Sequence, residues 1–99
     1  MLIRIVRMTF APEHKAAFLE VFEESKAQIR AVPGCLHLEL WQDYHDPNVL
    51  LTHSHWQNDD ALEAYRHSEL FKSTWAKTKP LFAAKPVAFS TRQLQQVSG

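Results

Sequence analysis

The sequence predicts an α+β domain with a ferredoxin-like, split βαβ arrangement: a four-stranded antiparallel sheet with both helical segments on one face. Three observations support this class. Apolar residues alternate along several short segments at strand period, they recur at three-and-four spacing along two others, and the segments follow in the order β, α, β, β, broken helix, β. The 99 residues fit a single domain spanning 1–99 with one hydrophobic core.

The first part of the chain predicts a strand followed by a helix. Leu2 to Phe10 mixes β-branched and apolar residues, and the strand ends at Ala11-Pro12. Pro12 suits a first helical turn, and Val32-Pro33-Gly34 stops the helix. The residues predicted to form its buried face are Phe18, Val21, Phe22, Ser25 and Ile29.

A hairpin is predicted next. Cys35 to Asp43 alternates between leucines and polar or aromatic residues, Asp46-Pro47-Asn48 supplies turn residues, and Val49 to Trp56 forms the returning strand. The predicted helix-facing side holds Leu36, Leu38 and Leu40, and the other side holds His37, Glu39 and Trp41.

The last part predicts a broken helix and a closing strand. Asn58 can cap the first half, and Ser68 can restart the helix at an angle. Pro80 interrupts the second half, and Val87 to Leu94 is the fourth strand.

Composition and charge exclude several classes of function. Eleven Lys and Arg balance eleven Asp and Glu, so no net positive field favours nucleic acid or an anionic membrane surface. Cys35 is the single cysteine, which excludes an intramolecular disulfide and favours a cytoplasmic location. Arg4 and Arg7 break the apolar N-terminal run, so it predicts neither a signal peptide nor a membrane span.

The face of the sheet away from the helices is predicted to need a cover. Val49, Leu51 and Trp41 fall on this face, and they are too apolar to be left fully in water. A chain of this length also buries a limited fraction of its own surface. A second copy of the sheet would cover the face, which predicts a homodimer.

Short motifs in the predicted elements carry a family resemblance. They are Pro33-Gly34-Cys35-Leu36 opening the second strand, Trp56 ending the third, and Leu62-Glu63-Ala64 with Ser68-Glu69-Leu70-Phe71 in the broken helix. With these motifs the chain resembles the antibiotic biosynthesis monooxygenase family over nearly its whole length. The resemblance implies a dimeric α+β barrel. It also implies an apolar cleft between helices and sheet, in which O2 oxygenates phenols or quinols without a metal or organic cofactor.

Two departures from family patterns narrow the implied activity. The positions that hold Asn, Trp and an iron-ligating His in the haem-degrading branch are here Val6, Tyr65 and Trp75, so the resemblance does not imply haem degradation. Many members, including quinol oxidisers, carry a His at the position of Leu70. Cofactor-independent oxygenation is therefore the expected activity, and the alternative is a non-catalytic module that binds a small ligand or haem.

The candidate site residues lie in the predicted cleft between helices and sheet, except His53, which belongs to the other face of the predicted sheet. Tyr65 and Trp75 each combine an aromatic face with a hydrogen-bond donor, which suits a flat phenolic substrate. They are predicted to orient the substrate, and His53 is the candidate for proton removal. The residues predicted to bind substrate are Trp56, Phe71, Ser54 and Thr52, and the rest of the predicted lining is Leu36, Leu38, Leu40 and Phe22.

Histidines gather on the other side of the predicted hairpin. If Asp43 lies opposite Val49, His37 faces His55, and Glu39 faces His53. Imidazole and carboxylate groups are ordinary ligands for zinc or iron. A hydrogen-bonded polar patch is the favoured interpretation, and a metal site is the alternative.

Overall fold

The computed structural model describes residues 1–99. Its elements are β1 (Leu2–Thr9), a 3-10 turn (Pro12–His14), α1 (Lys15–Arg30), β2 (Cys35–Gln42), β3 (Val49–Trp56), α2 (Asp59–Arg66), α3 (Glu69–Thr78), a second 3-10 turn (Lys79–Leu81) and β4 (Val87–Thr91). The strands form one antiparallel sheet in the order β2-β3-β1-β4. This confirms the predicted α+β fold class, although β4 ends at Thr91 rather than at Leu94.

Capping side chains produce the predicted break between α2 and α3. The Asn58 side chain accepts a hydrogen bond from the Ala61 N–H at 2.9 Å, and the Ser68 hydroxyl accepts one from the Phe71 N–H at 3.2 Å. Each cap satisfies an N–H that has no partner within its own helix. Pro12 differs from its prediction, because it lies in a 3-10 turn and α1 begins three residues later.

The core lies between the sheet and the helices. Even-numbered residues of β1 and β3 point toward the helices, as period-two alternation requires. One buried cluster contains Met8, Phe10, Phe18 and Leu50, and a second contains Cys35, Trp56 and Leu62. Gly34 has φ 88°, and a Cβ there would collide with the Ala61 side chain, so glycine lets α2 approach the start of β2.

The hairpin register matches the prediction except at one position. His37 pairs with His55, and Glu39 pairs with His53. A bulge between Cys35 and His37 leaves Leu36 as the extra residue. Leu36 is therefore 48% exposed, and its predicted position in the cleft was wrong.

The outer face, meaning the face of the sheet away from the helices, carries a mixture of apolar and polar side chains. Val49 was predicted to need a partner for burial, but it is only 2% exposed within the single chain. Other apolar residues on this face remain open, since Trp41 is 40% exposed and Phe89 46% exposed. None of the helices has the length and apolar character required to cross a membrane.

Candidate functional site

A cavity of about 380 Å³ lies between the helix-covered face of the sheet and the three α-helices. This volume is within the range of pockets that hold small molecules. The cavity is in the position of the predicted cleft, and most of the residues around it are apolar. All five residues of the predicted buried face of α1 contribute to its wall: Phe18, Val21, Phe22, Ser25 and Ile29.

One wall of the cavity is a continuous row of aromatic rings. Trp56 stacks on Tyr65 with ring centroids 5.0 Å apart, and Tyr65 meets Phe71 edge to face at 5.3 Å. Phe71 stacks on Trp75 at 5.9 Å with an interplanar angle of 8°. Such packing favours a flat, apolar ligand, and it holds the row in place.

The polar groups around the cavity divide into those with protein partners and those without. The Trp56 indole N–H donates to the Ser54 hydroxyl at 2.9 Å, and the Thr78 hydroxyl donates to a backbone carbonyl of α3 at 2.8 Å. The Tyr65 hydroxyl and the Trp75 indole N–H make no hydrogen bond within the protein, so both can donate to a ligand. Burial raises the pKa of Tyr65 to about 12, which keeps the hydroxyl neutral.

Two arginines line the cavity, and neither was predicted as a site residue. Arg4 extends from the helix-facing side of β1, opposite Ser54, and Arg66 lies at the end of α2. Arg66 pairs with Glu63 at 2.8 Å, whereas Arg4 has no carboxylate at ion-pair distance and donates to the Ser90 hydroxyl at 3.1 Å. Burial, followed by repulsion from Arg66, lowers the pKa of Arg4, although a guanidinium stays charged at neutral pH.

A signal for Arg4 was present in the sequence. Arg4 is even-numbered, like Val6 and Met8, and therefore belongs to the side of β1 that faces the helices. A cation among apolar residues on a buried face indicates a polar site. Arg66 had no comparable signal, because a basic residue in the last turn of a helix is ordinary.

Most of the predicted site residues line the cavity. Tyr65, Trp75, Trp56, Phe71, Ser54 and Thr52 all do so. The predicted lining residues Leu38 and Phe22 also contribute, whereas Leu36 and Leu40 do not. All of them can contact a ligand in the cavity, and their binding and orienting of a substrate stay predictions.

His53 is the exception, and its predicted role as base requires correction. It is an odd-numbered residue of β3, so its side chain points to the outer face and does not line the cavity. A substrate held between helices and sheet would be separated from this imidazole by the sheet itself. No histidine, aspartate, glutamate or cysteine lines the cavity.

The haem-site positions of the resembling family also line the cavity. Val6, Tyr65 and Trp75 are all part of its wall, and none of them carries an imidazole. Leu70 lies outside the lining. The cavity therefore has no histidine that could bind a haem iron.

The histidines of β2 and β3 meet on the outer face as the register predicted. The His37 Nε2 contacts the Glu39 Oε2, and the His53 Nδ1 lies 3.7 Å from the same oxygen. The His53 and His55 Nε2 atoms are 3.1 Å apart. Hydrogen bonds from His37 and then Trp41 lower the pKa of Glu39 to about 2. Burial, followed by repulsion from His53 and His37, lowers the pKa of His55.

Comparison with protein families matches residues 1–77 to the antibiotic biosynthesis monooxygenases. No curated protein matches the chain.

Solved structures share the fold over nearly the whole chain. An antibiotic biosynthesis monooxygenase is 21% identical, with a TM-score of 0.89, and the match covers 96% of this chain and 100% of that chain. PA3566 from Pseudomonas aeruginosa is 29% identical, with a TM-score of 0.84 and coverage of 95% and 94%. Rv0793 from Mycobacterium tuberculosis is 20% identical, with a TM-score of 0.87 and coverage of 98% of both chains.

The ionisation of Tyr65 tests whether this residue is a buried, neutral donor. In the Tyr44→Phe variant, Tyr65 is the only tyrosine, so ultraviolet absorbance reports its titration alone. We expect a midpoint near 12 rather than the ordinary value of 10. The Tyr65 hydroxyl loses its proton at lower pH in the unfolded chain than in the folded one. The free energy of unfolding therefore has its full Tyr65 contribution below pH 10 and loses it as the pH rises toward about 12.

Urea unfolding at several pH values measures that loss. We expect the loss of stability at high pH to be smaller in the Tyr44→Phe, Tyr65→Phe double variant, which has no tyrosine. A Tyr65 midpoint near 10 would contradict the burial of its hydroxyl.

Proposed function

The chain belongs to the antibiotic biosynthesis monooxygenase family, and on that premise we propose that it is a cofactor-independent monooxygenase acting on a small aromatic, phenolic or quinol-type substrate. One observation supports the proposal most strongly: an aromatic-walled cavity contains Arg4, a cation without a carboxylate partner. A flat ring with an oxygen that becomes negatively charged matches both features.

The proposed role of Arg4 is to stabilise the ionised form of the substrate. Opposite charges about 4 Å apart attract by about 4 kcal/mol at an effective dielectric constant of about 20. Solvent at the half-buried Arg4 reduces this value. A gain of about 1–3 kcal/mol still lowers the pKa of a bound phenol by about one to two units. Arg66 adds less, because Glu63 already neutralises much of its charge.

The absence of a carboxylate or imidazole in the cavity lining agrees with this role. The proton of a phenol can leave to water, since the cationic environment makes the phenol more acidic, and no resident base is required. The resulting phenolate is electron-rich enough to transfer an electron to O2. Recombination of the substrate radical with superoxide forms a C–O bond and, after protonation, a hydroperoxide. Loss of the C–H proton at that carbon and cleavage of the O–O bond then leave a carbonyl oxygen in the product and release the second oxygen atom as water.

The aromatic row and its free donors are proposed to orient the substrate. Tyr65 and Trp75 would donate hydrogen bonds to substrate oxygens while Phe71 and Trp56 contact its rings. Orientation and exclusion of water are the main contributions that a protein can make when substrate and O2 supply the chemistry. Thr52 and Ser54 would contact the substrate from the sheet side.

We also propose that the protein is a homodimer that pairs through the outer face. Ile3 and Ile5 of β1 and Leu51 of β3 are only partly buried there, beside the more exposed Phe89 and Trp41. Together they form an apolar area that a second sheet can cover. This pairing would leave the cavity on the other side of each sheet.

Dioxygen uptake with hydroquinones and anthrone-like phenols tests the monooxygenase proposal. We expect uptake with the wild-type protein and a decrease in kcat/KM of about 10- to 100-fold for Arg4→Gln, equivalent to about 1.4–2.7 kcal/mol. Because Arg4 is proposed to favour the phenolate, the rate profile of Arg4→Gln should also shift to higher pH. Tyr65→Phe should raise KM by removing one hydrogen bond.

Arg7→Gln is the matched control, since Arg7 lies on the same strand but on the outer face, where it is exposed. Its activity should equal that of wild type. Binding of these phenols without O2 uptake would instead support a non-catalytic binding module. Equal activities for Arg4→Gln and Arg7→Gln would refute the role of Arg4.

Mass measurement by light scattering tests the dimer. We expect twice the chain mass of 11.5 kDa for wild type. Phe89→Asp places a charge on the proposed interface and should shift the mass toward one chain. Leu19→Asp is the control, because Leu19 has similar exposure but lies on α1. A wild-type monomer, or a dimer disrupted only by Leu19→Asp, would contradict pairing through the outer face.

A further inference from the structure

We propose that His37, Glu39 and His53 form a binding site for a zinc-like transition-metal cation on the outer face of the sheet. One potential ligand atom from each residue lies within 4.8 Å of the other two. The site is separated from the cavity by the sheet, so it is independent of the proposed monooxygenase reaction, but it shares the outer face with the proposed dimer interface, and Trp41 belongs to both. Spacing of two along β2 and direct pairing across to β3 bring the three side chains together.

The strongest observation is an imidazole nitrogen without a hydrogen-bond partner. The His53 Nδ1 is buried and accepts or donates no hydrogen bond, and the whole side chain is only 15% exposed. A proton on that nitrogen would be unfavourable, because it would be a buried donor whose nearest carboxylate oxygen, the Glu39 Oε2, lies 3.7 Å away, beyond hydrogen-bond distance. A lone pair there, directed toward the cluster, is suited to a metal ion.

His55 can accept the hydrogen bond that the proposed site requires of His53. The His53 Nε2 lies 3.1 Å from the His55 Nε2, so a proton on His53 Nε2 has an acceptor. In the proposed site the proton is on the His53 Nε2, which leaves the His53 Nδ1 unprotonated and free to bind the metal. Histidine ligands of metals usually donate their second N–H to a neighbouring group in this way. His55 is therefore a positioning residue and not a ligand.

Trp41 positions the carboxylate in the same manner. Its indole N–H donates to the Glu39 Oε1 at 2.9 Å, and its ring stacks on His53 with centroids 4.3 Å apart. The Glu39 Oε2 then points toward both His37 and His53. The Glu39 Oε1 is held by the hydrogen bond from Trp41, and the Oε2 would bind the cation in place of its present contact with the His37 Nε2.

The donor set and spacing select the class of metal. Ligand atoms of a tetrahedral Zn²⁺ site, with bonds of about 2.0–2.2 Å, lie about 3.3–3.6 Å apart. The 3.7 Å between His53 Nδ1 and Glu39 Oε2 is near this value. Two imidazoles favour Zn²⁺, Co²⁺, Ni²⁺ or Cu²⁺ over Mg²⁺ or Ca²⁺, which prefer oxygen ligands. Three protein ligands leave a fourth position for water.

Titration with Co²⁺ tests the site through a readout that does not depend on enzyme activity. The full chain, prepared without a histidine tag and treated with a chelator, is titrated while visible absorption is recorded. We expect one Co²⁺ per chain, with the intense bands of tetrahedral geometry, and displacement by Zn²⁺. His53→Ala, His37→Ala and Glu39→Gln should each weaken binding at least about 10-fold.

His55→Ala should weaken Co²⁺ binding while keeping the tetrahedral spectrum, because it changes the orientation of a ligand and not the ligand set. His45→Ala and His67→Ala are the matched controls, since both histidines are exposed and outside the cluster. Their affinities should equal that of wild type. Circular dichroism checks folding, and the more exposed Glu39 and His37 keep the test valid if His53→Ala unfolds.

The site would be overturned by the absence of saturable Co²⁺ binding to the wild-type chain, or by binding that is unchanged in both His37→Ala and Glu39→Gln. Light scattering with and without Zn²⁺ accompanies the titration. Binding at one ion per two chains would also reject the proposed site, because it would place the metal between copies.

Discussion

The register of β3 against its neighbours β1 and β2 is the constraint on which both candidate sites depend. Because side chains alternate across a strand, the position of β3 in the sheet leaves Ser54 and Trp56 facing the helices and sends His53 and His55 to the outer face, and pairing Glu39 with His53 puts His37 on that same face. A shift of β3 by one residue within the sheet would place the imidazoles of His53 and His55 in the cavity and remove the Trp56 indole and the Ser54 hydroxyl from it. The Asp43 N–H bonded to the Val49 carbonyl at 2.9 Å, at the turn end, helps to fix this register.

The sequence was sufficient for the element order, the helix break and the hairpin pairing because each depends on local signals. Asn58 and Ser68 cap helices through contacts within a few residues. From His37 onward, the alternation of side chains predicts which residues of β2 and β3 share a face, and the observed pairing agrees. The bulge at Leu36 was not predictable, since an extra residue in one strand becomes visible only against its partner. Val49 was misjudged for a related reason: its position on a face was correct, but its burial depends on the packing of the whole chain.

The candidate cavity was predicted from its aromatic residues, and its charge was not. Tyr65 and Trp75 stand out in the sequence because ring and donor occur in one side chain, whereas Arg4 was interpreted only as an interruption of an apolar run. The proposed division of labour follows from their positions. The aromatic row would orient a flat substrate, and Arg4 would make its hydroxyl more acidic in a cavity without carboxylates. On the other face, the His53 Nδ1 and the Glu39 carboxylate would provide cation ligands.

A chromophoric phenol tests this electrostatic account without requiring turnover. A nitrophenol changes colour on ionisation, so its pKa can be measured free in solution and bound in the cavity of the anaerobic protein. The account predicts a bound pKa about one to two units below the free value, and predicts that this decrease is largely lost in Arg4→Gln and kept in Arg7→Gln. A bound pKa equal to or above the free value would contradict it, because an apolar cavity without an effective cation would favour the neutral phenol.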